Sequence, residues 1–168
     1  MIRIVFNSTN LVERLRQASE RLADMSPVYS DIGEYLVKST KDRFGRSEAP
    51  DGSKWAPKRP ATIERYRRMG DGKLTRPLIG PSRRLGNEVA AIPSRDQVEV
   101  GSSLEYSGVM QDGAAKGAFG TNKRGSPIPW GTIPARVWLG ISETDERNIL
   151  DIVDEHIGAG LTDGSEVA

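Results

Sequence analysis

Ten residues near the end of the chain, Ile133-Pro134-Ala135-Arg136-Val137-Trp138-Leu139-Gly140-Ile141-Ser142, constrain the fold more than any other stretch. Val137, Leu139 and Ile141 alternate with Arg136, Trp138 and Gly140, the two-residue period of a strand with one apolar face. Ser142 then opens Ser-Glu-Thr-Asp, whose side-chain oxygen can accept a backbone N–H that the first turn of a helix leaves unpaired. An apolar helical pattern follows at once through Ile149, Ile152, Val153 and Ile157, and Gly158 and Gly160 are expected to stop it. A strand running directly into a capped helix leaves no slack, so the two elements hold a fixed relative position. Pro134 and Gly140 set the path of the chain here. Arg136 suits an ion pair or a carbonyl clamp, because a guanidinium presents donors in a rigid fork. Trp138 is expected to be buried within the subunit.

The rest of the chain supports one domain with a modest core. Of 168 residues, 36% are hydrophobic and 28% charged, with 18 Gly and 10 Pro. There is no Cys, which excludes disulfides, a thiol nucleophile and a thiolate metal site. Residues 1–6 are too short and too quickly polar for a signal peptide, and no apolar run approaches a membrane span. The net charge of +1 hides segregation. Residues 54–84 hold ten Lys/Arg against two acids, and residues 139–168 hold eight acids against Arg147. Such a division serves nucleic-acid contact or complementary contact between copies of one protein.

In order, residues 2–6 read as a short strand and residues 10–24 as a helix with Leu11, Leu15, Ala18 and Leu22 on one face. Ser26-Pro27 restarts a helix, with Ser26 as N-cap and Pro27 at the first helical position. Val28, Ile32, Leu36 and Phe44 mark its buried stripe, and it is expected to run to about Arg43 and stop near Gly45. Pro50-Asp51-Gly52 is a turn signal, and Trp55 pins that connection onto the helices. Residues 60–69 read as a short helix with Ile63, Tyr66 and Met69 inward, and residues 70–84 as loop. Residues 88–92 and 97–101 read as a hairpin, and residues 106–111 as a third strand or a helical turn. Residues 112–127 are the least regular part of the interior. The predicted class is α+β: two N-terminal helices, a mostly antiparallel sheet and a C-terminal helix packed on it, with residues 1–158 as the domain and 159–168 as a polar tail.

Signals for chemistry are weak. His156, the only histidine, has no partner at catalytic spacing and reads as a surface residue near a helix end. Asp151, Asp154 and Glu155 lie on one helix face, where solvated charge is the ordinary reading and a metal site needs ligands from further segments. The glycines of 113–125 lack the Lys-Ser/Thr of a phosphate loop and the strand–helix setting of a dinucleotide site. A segment of this length reads instead as a loop that orders on a partner, with Lys123 and Arg124 at its tip.

Four segments together resemble the phage virion morphogenesis family, the tail-completion or head–tail joining proteins of Mu-like contractile-tailed phages. They are Pro50-Asp51-Gly52-Ser53-Lys54-Trp55-Ala56-Pro57; Val98-Glu99-Val100-Gly101-Ser102 with Tyr106; Gln111-Asp112-Gly113-Ala114; and Ile133 to Ser142. The resemblance spans roughly residues 10–157. The chain departs from it at Leu78-Ile79-Gly80-Pro81, at Ser107-Gly108-Val109-Met110 before Gln111, and at Trp138. It implies a non-enzymatic assembly factor without cofactor, metal or small-molecule substrate, made in the host cytoplasm and carried in the tail or neck. Implied partners are copies of itself in a ring, tail-tube, terminator or head-connector proteins and, weakly, packaged DNA, with no membrane. Its motif residues here are Asp51, Gly52, Trp55, Gly101, Tyr106, Gly113, Pro134, Arg136, Trp138 and Gly140. Candidate contacts are Lys123, Arg124, Arg67, Arg68, Arg83 and Arg84. The alternatives are a nonspecific nucleic-acid module using residues 54–84 and a hydrolase using paired carboxylates.

Overall fold

A computed structural model describes Glu13, Arg16, Ser19 and residues 22–162, with side chains to residue 158. The predicted strand 2–6 and most of the predicted helix 10–24 lie outside the described residues; the described positions 13, 16, 19, 22 and 23 are helical.

Helix α1 spans Ser26–Arg46. Its N-cap is Met25 rather than Ser26. Asp24, two residues ahead of Ser26, accepts the Ser26 N–H at 3.0 Å and takes the role expected of the Ser26 hydroxyl. Gly45 does not end the helix; Ser47 does, in the left-handed conformation at φ 56°. The last carbonyls of α1 are satisfied from a distance, because Arg76 donates to Phe44 O at 2.6 Å and to Gly45 O. Val28, Ile32 and Phe44 are buried and Leu36 is half-buried.

The turn at 49–53 forms as its sequence dictates. Gly52 sits at φ 80°, its N–H donates to Ala49 O at 2.9 Å, and the Asp51 carboxylate accepts the Ser53 N–H. Helix α2, Pro60–Arg68, carries Pro at its first position, and Ile63 and Tyr66 are half-buried. Met69 lies past its end and is exposed, not inward. A one-turn helix α3, Arg84–Asn87, buries Leu85. Strands β1, Ala90–Pro93, and β2, Val98–Gly101, pair antiparallel with Ala90 opposite Gly101 and Pro93 opposite Val98. They form the one sheet among the described residues, so the second half is less β-rich than its pattern suggests. Residues 107–112 settle as helix α4, Ser107–Asp112, not as a strand.

Helix α5, Glu143–Thr162, passes through Gly158 and Gly160 instead of stopping at them. Its start forms a reciprocal cap: Ser142 Oγ accepts the Asp145 N–H at 3.1 Å, and Asp145 Oδ2 accepts the Ser142 N–H at 2.8 Å. Helix α1 lies between two partners. One face packs on the hairpin, where Gly33 allows close approach: a Cβ there would stand 2.8 Å from Ala91 Cβ and 2.9 Å from Val98 Cγ2. The other face packs on α5, through which the C-terminal helix joins the body. The core gathers Phe44, Ala49, Trp55, Leu85, Val89, Leu104 and Trp138. Phe44 stands edge-on to Trp55 with centroids 5.2 Å apart, and 6.0 Å from Trp138.

Candidate functional site

Residues 133–142 form no strand beyond the single bridge of Ile133 to Ala114, and apart from half-buried Leu139 their faces are reversed from the sequence pattern. Arg136 and Trp138 are buried, at 8% and 2% exposure, while Val137 and Ile141 face outward at 43% and 55%. The cause is the absence of a neighbouring strand: side chains satisfy this backbone instead. Gln111 Oε1 accepts the N–H groups of Trp138 and Leu139 at 2.9 and 3.1 Å, and its Nε2 donates to Leu139 O at 2.9 Å. Trp55 Nε1 donates to Val137 O at 2.8 Å, and the Arg136 N–H donates to Met110 O at 3.0 Å. With no ladder to fix the register, the large groups that reach hydrogen-bond partners turn inward. Trp138 Nε1 donates to Ser107 O at 3.1 Å. Arg136 clamps two carbonyls, with Nε to Ala56 O at 2.7 Å and Nη2 to Pro57 O at 3.0 Å. Burial pushes its guanidinium below the ordinary arginine range.

The same segment enters a second buried network. Arg43 on α1 donates to Gly140 O at 2.7 Å and pairs with Asp145 through a side-chain contact that is almost wholly buried. Asp145 also accepts from Ser39 Oγ at 2.6 Å, Tyr35 Oη at 2.9 Å and Ser142 Oγ at 2.7 Å. Burial alone would raise its pKa; the donors, Ser39 and Ser142 foremost, outweigh that and hold it at about 2. Asn148 Nδ2 donates to Tyr35 Oη at 2.8 Å. These residues join α1, the extended segment and the start of α5 into one unit. Sequence reasoning missed the pairing of Arg43 with Asp145, which lie 102 residues apart, and used Gln111 only as part of a motif.

A cleft of about 1120 Å³ opens beside this unit, between α1, the 50–54 turn and residues 140–146. Three of the carboxylates that line it, Glu48, Asp51 and Asp145, hold local structure. Asp145 is buried in its network. Hydrogen bonds from Arg46 and Lys54 hold Glu48 below the usual carboxylate range, and bonds from Ser53 do the same for Asp51. A general acid needs the opposite shift. His156 pairs with Asp31 of α1 at 2.7 Å, well before the end of α5.

The basic segment is divided. Lys58 donates to Leu74 O and Ile79 O, both at 2.5 Å, and lies over the Tyr66 ring; desolvation lowers its pKa. Arg59 donates to Thr132 O at 2.5 Å, and Arg76 caps α1. Arg84 pairs with Glu88 at 2.6 Å, and Arg67 and Arg68 share Glu64 at 2.9 and 3.5 Å. Much of the charge therefore holds the chain together rather than facing a polyanion. Arg83 is exposed and adopts φ 52° at the start of α3. Gly101 closes β2 opposite Ala90, and Tyr106 is exposed just before α4.

The segment expected to be irregular is folded back on itself. Ala114 bridges Ile133 and Thr121 bridges Pro127. The Phe119 N–H donates to Ile128 O and the Ile128 N–H to Gly120 O, both at 2.7 Å, and the Ile128–Pro129 bond is cis. At the tip, the Asn122 carbonyl oxygen of the side chain accepts the N–H groups of Arg124 and Ser126. Gly113 starts this arm at φ 75°, where a Cβ would lie 2.6 Å from Ile133 O and 2.7 Å from Ala135 N. The arm of residues 114–133 carries exposed Phe119, Ile128 and Trp130, with Lys123 and Arg124 at its tip.

The described residues form a body tied together by buried hydrogen bonds and an arm that folds back on itself. No helix among the described residues is long and apolar enough to cross a membrane. Comparison with curated proteins and with solved structures finds no match. A family model does match, over residues 6–158, nearly the whole chain, and this chain belongs to the phage virion morphogenesis family.

Proposed function

We propose that this protein is a non-enzymatic assembly subunit acting in tail completion or head–tail joining, as one member of a homo-oligomeric ring. The family match over residues 6–158 carries the reading. The geometry is compatible with it: internal hydrogen-bond networks tie the body together, while apolar side chains of the arm are exposed. Partners in this reading are further copies of the chain and the tail-tube, terminator or head-connector proteins, with packaged DNA touched weakly. Assembly takes place in the bacterial cytoplasm, and the protein stays in the tail or neck of the virion.

Electron microscopy of particles made without this protein tests the reading. Full heads separate from tails of finished length are the expected result. Normal infectious virions would remove it.

A further inference from the structure

The arm and the outer face of α5 are complementary in charge and apolar character, and no described residue covers either. On the arm, Phe119 is 55% exposed and Trp130 75%, with Ile128 paired to Phe119 across the arm. Residues 114–133 contain Lys116, Lys123 and Arg124 and no acid. On α5, the side facing away from α1 carries Leu150 and Ile157, seven residues apart and therefore on one line of the helix. Leu150 is 62% exposed. Glu143, Glu146 and Asp154 flank that line at helical spacing with Arg147 as the one cation among them, and all four are exposed. They form no ion pair among the described residues. Among the described residues, no hydrogen bond or ion pair joins the arm to α5.

We infer that the arm of one copy docks on the outer face of α5 of the next, with Phe119 and Trp130 against Leu150 and Ile157. Lys123 and Arg124 then face Glu146 and Asp154. The occupant is a second copy of this chain, because both halves of the contact are present in every copy with opposite charge. Two different patches meet, so the contact is heterologous. It propagates from copy to copy and closes into a ring when the rotation between neighbours allows. Gly113 and the Arg59–Thr132 bond fix the root of the arm, so it is presented in a defined direction. The inference rests on the ring-subunit reading above and assigns its interface.

The chain has no cysteine, so engineered pairs report without background. Phe119→Cys and Leu150→Cys chains are made separately, checked by circular dichroism, and oxidised alone and in equal mixture. The inference expects a disulfide-linked dimer from the mixture only, and a ladder from the double variant. A dimer from Phe119→Cys alone, showing symmetric arm pairing, overturns it. So does cross-linking of the mixture no faster than a mixture of Phe119→Cys with Ser94→Cys. Reversing Lys123 and Arg124 to Glu is expected to weaken self-association at least about tenfold, and mixing with the Glu146→Lys/Asp154→Lys chain to restore it. Failure of the mixture to recover also counts against the pairing. Light scattering of the unmodified protein separates the two levels. An oligomer without the cross-link sinks the interface and leaves the ring reading standing, whereas a monomer at all concentrations sinks the pairing for this chain.

Discussion

Two tryptophans eight residues apart have opposite fates. Trp138 is 2% exposed, bonded to Ser107 O and packed near Phe44; Trp130 is 75% exposed on the arm. Trp130 follows Gly125-Ser126-Pro127-Ile128-Pro129, whereas Trp138 follows Pro134-Ala135-Arg136-Val137 in the alternating stretch. Their difference lies in what the rest of the chain delivers to each place: α4 and α1 close over Trp138, whereas Trp130 stands in an open cleft beside Tyr66 and Tyr106. The body and the arm are thus parts of different kinds, one closed by internal packing and the other exposed. Trp138→Ala should cost about 3–5 kcal/mol of stability, the usual range for removing a buried aromatic. Trp130→Ala should change it by less than about 0.5 kcal/mol. Urea midpoints of the two variants test the division, and similar losses would erase it.

The body is predicted to fail next most severely at its buried charges. Arg43→Ala leaves the Asp145 carboxylate in the interior without its cation, and about 3–5 kcal/mol is the expected loss. Arg67→Ala, exposed, serves as the control in the same denaturation series. At the root of the arm, Gly113→Ala places a Cβ against the backbone of Ile133 and Ala135 at a positive φ. A loss of about 2 kcal/mol or more is expected, with the rest of the body retained. Proteolysis should then cut within 114–133 faster than elsewhere. Uniform cleavage across the chain would show that the arm's root is part of the global fold.

The legible parts of this structure are those whose cause is local. Pro50-Asp51-Gly52 makes a turn because each residue supplies what the turn needs, and Ser142 caps α5 because Asp145 stands three residues on. The hairpin follows from two short alternating runs, and the α+β class from the order of elements. The stretch 133–142 misleads because alternation predicts a strand only where another strand is present to pair with it. Here the Gln111 side chain takes that place, and Arg136 and Trp138 turn inward to reach carbonyls donated by distant segments. The Arg43–Asp145 pair has no local signature at all. Glycine in 158–160 fails to stop α5, whose helix continues to Thr162. The arm's composition announces a loop, while its pairing depends on cross-strand backbone bonds that alternation does not reveal.

Acid should loosen the body before it affects the arm. Asp145 is held at about 2 in the folded chain, below its ordinary value of 3.8. A carboxyl whose folded pKa is depressed contributes stability above its unfolded pKa and loses that contribution as pH falls toward the folded value. The window is therefore about pH 4 down to pH 2, and the contribution lost is on the order of 2 kcal/mol. Denaturation midpoints at several pH values in this range should show the fall, and Asp145→Asn should flatten it. A slope unchanged in Asp145→Asn would assign the acid sensitivity to other carboxylates.

The smallest expected effect divides the basic segment itself. Arg67 and Arg68 are exposed and share Glu64, a pairing that solvent and salt screen. Arg67→Ala and Arg68→Ala should each shift stability by less than about 0.5 kcal/mol. Arg76→Ala removes a donor from the last carbonyls of α1 and should cost about 1–2 kcal/mol. The three substitutions remove the same charge from the same basic segment, so net charge predicts equal effects and internal bonding predicts unequal ones. If Arg67, Arg68 and Arg76 behave alike in low salt and converge in high salt, the segment acts as a field. If Arg76 stands apart at both, its cation belongs to the body, and the exposed pair is what remains for a partner.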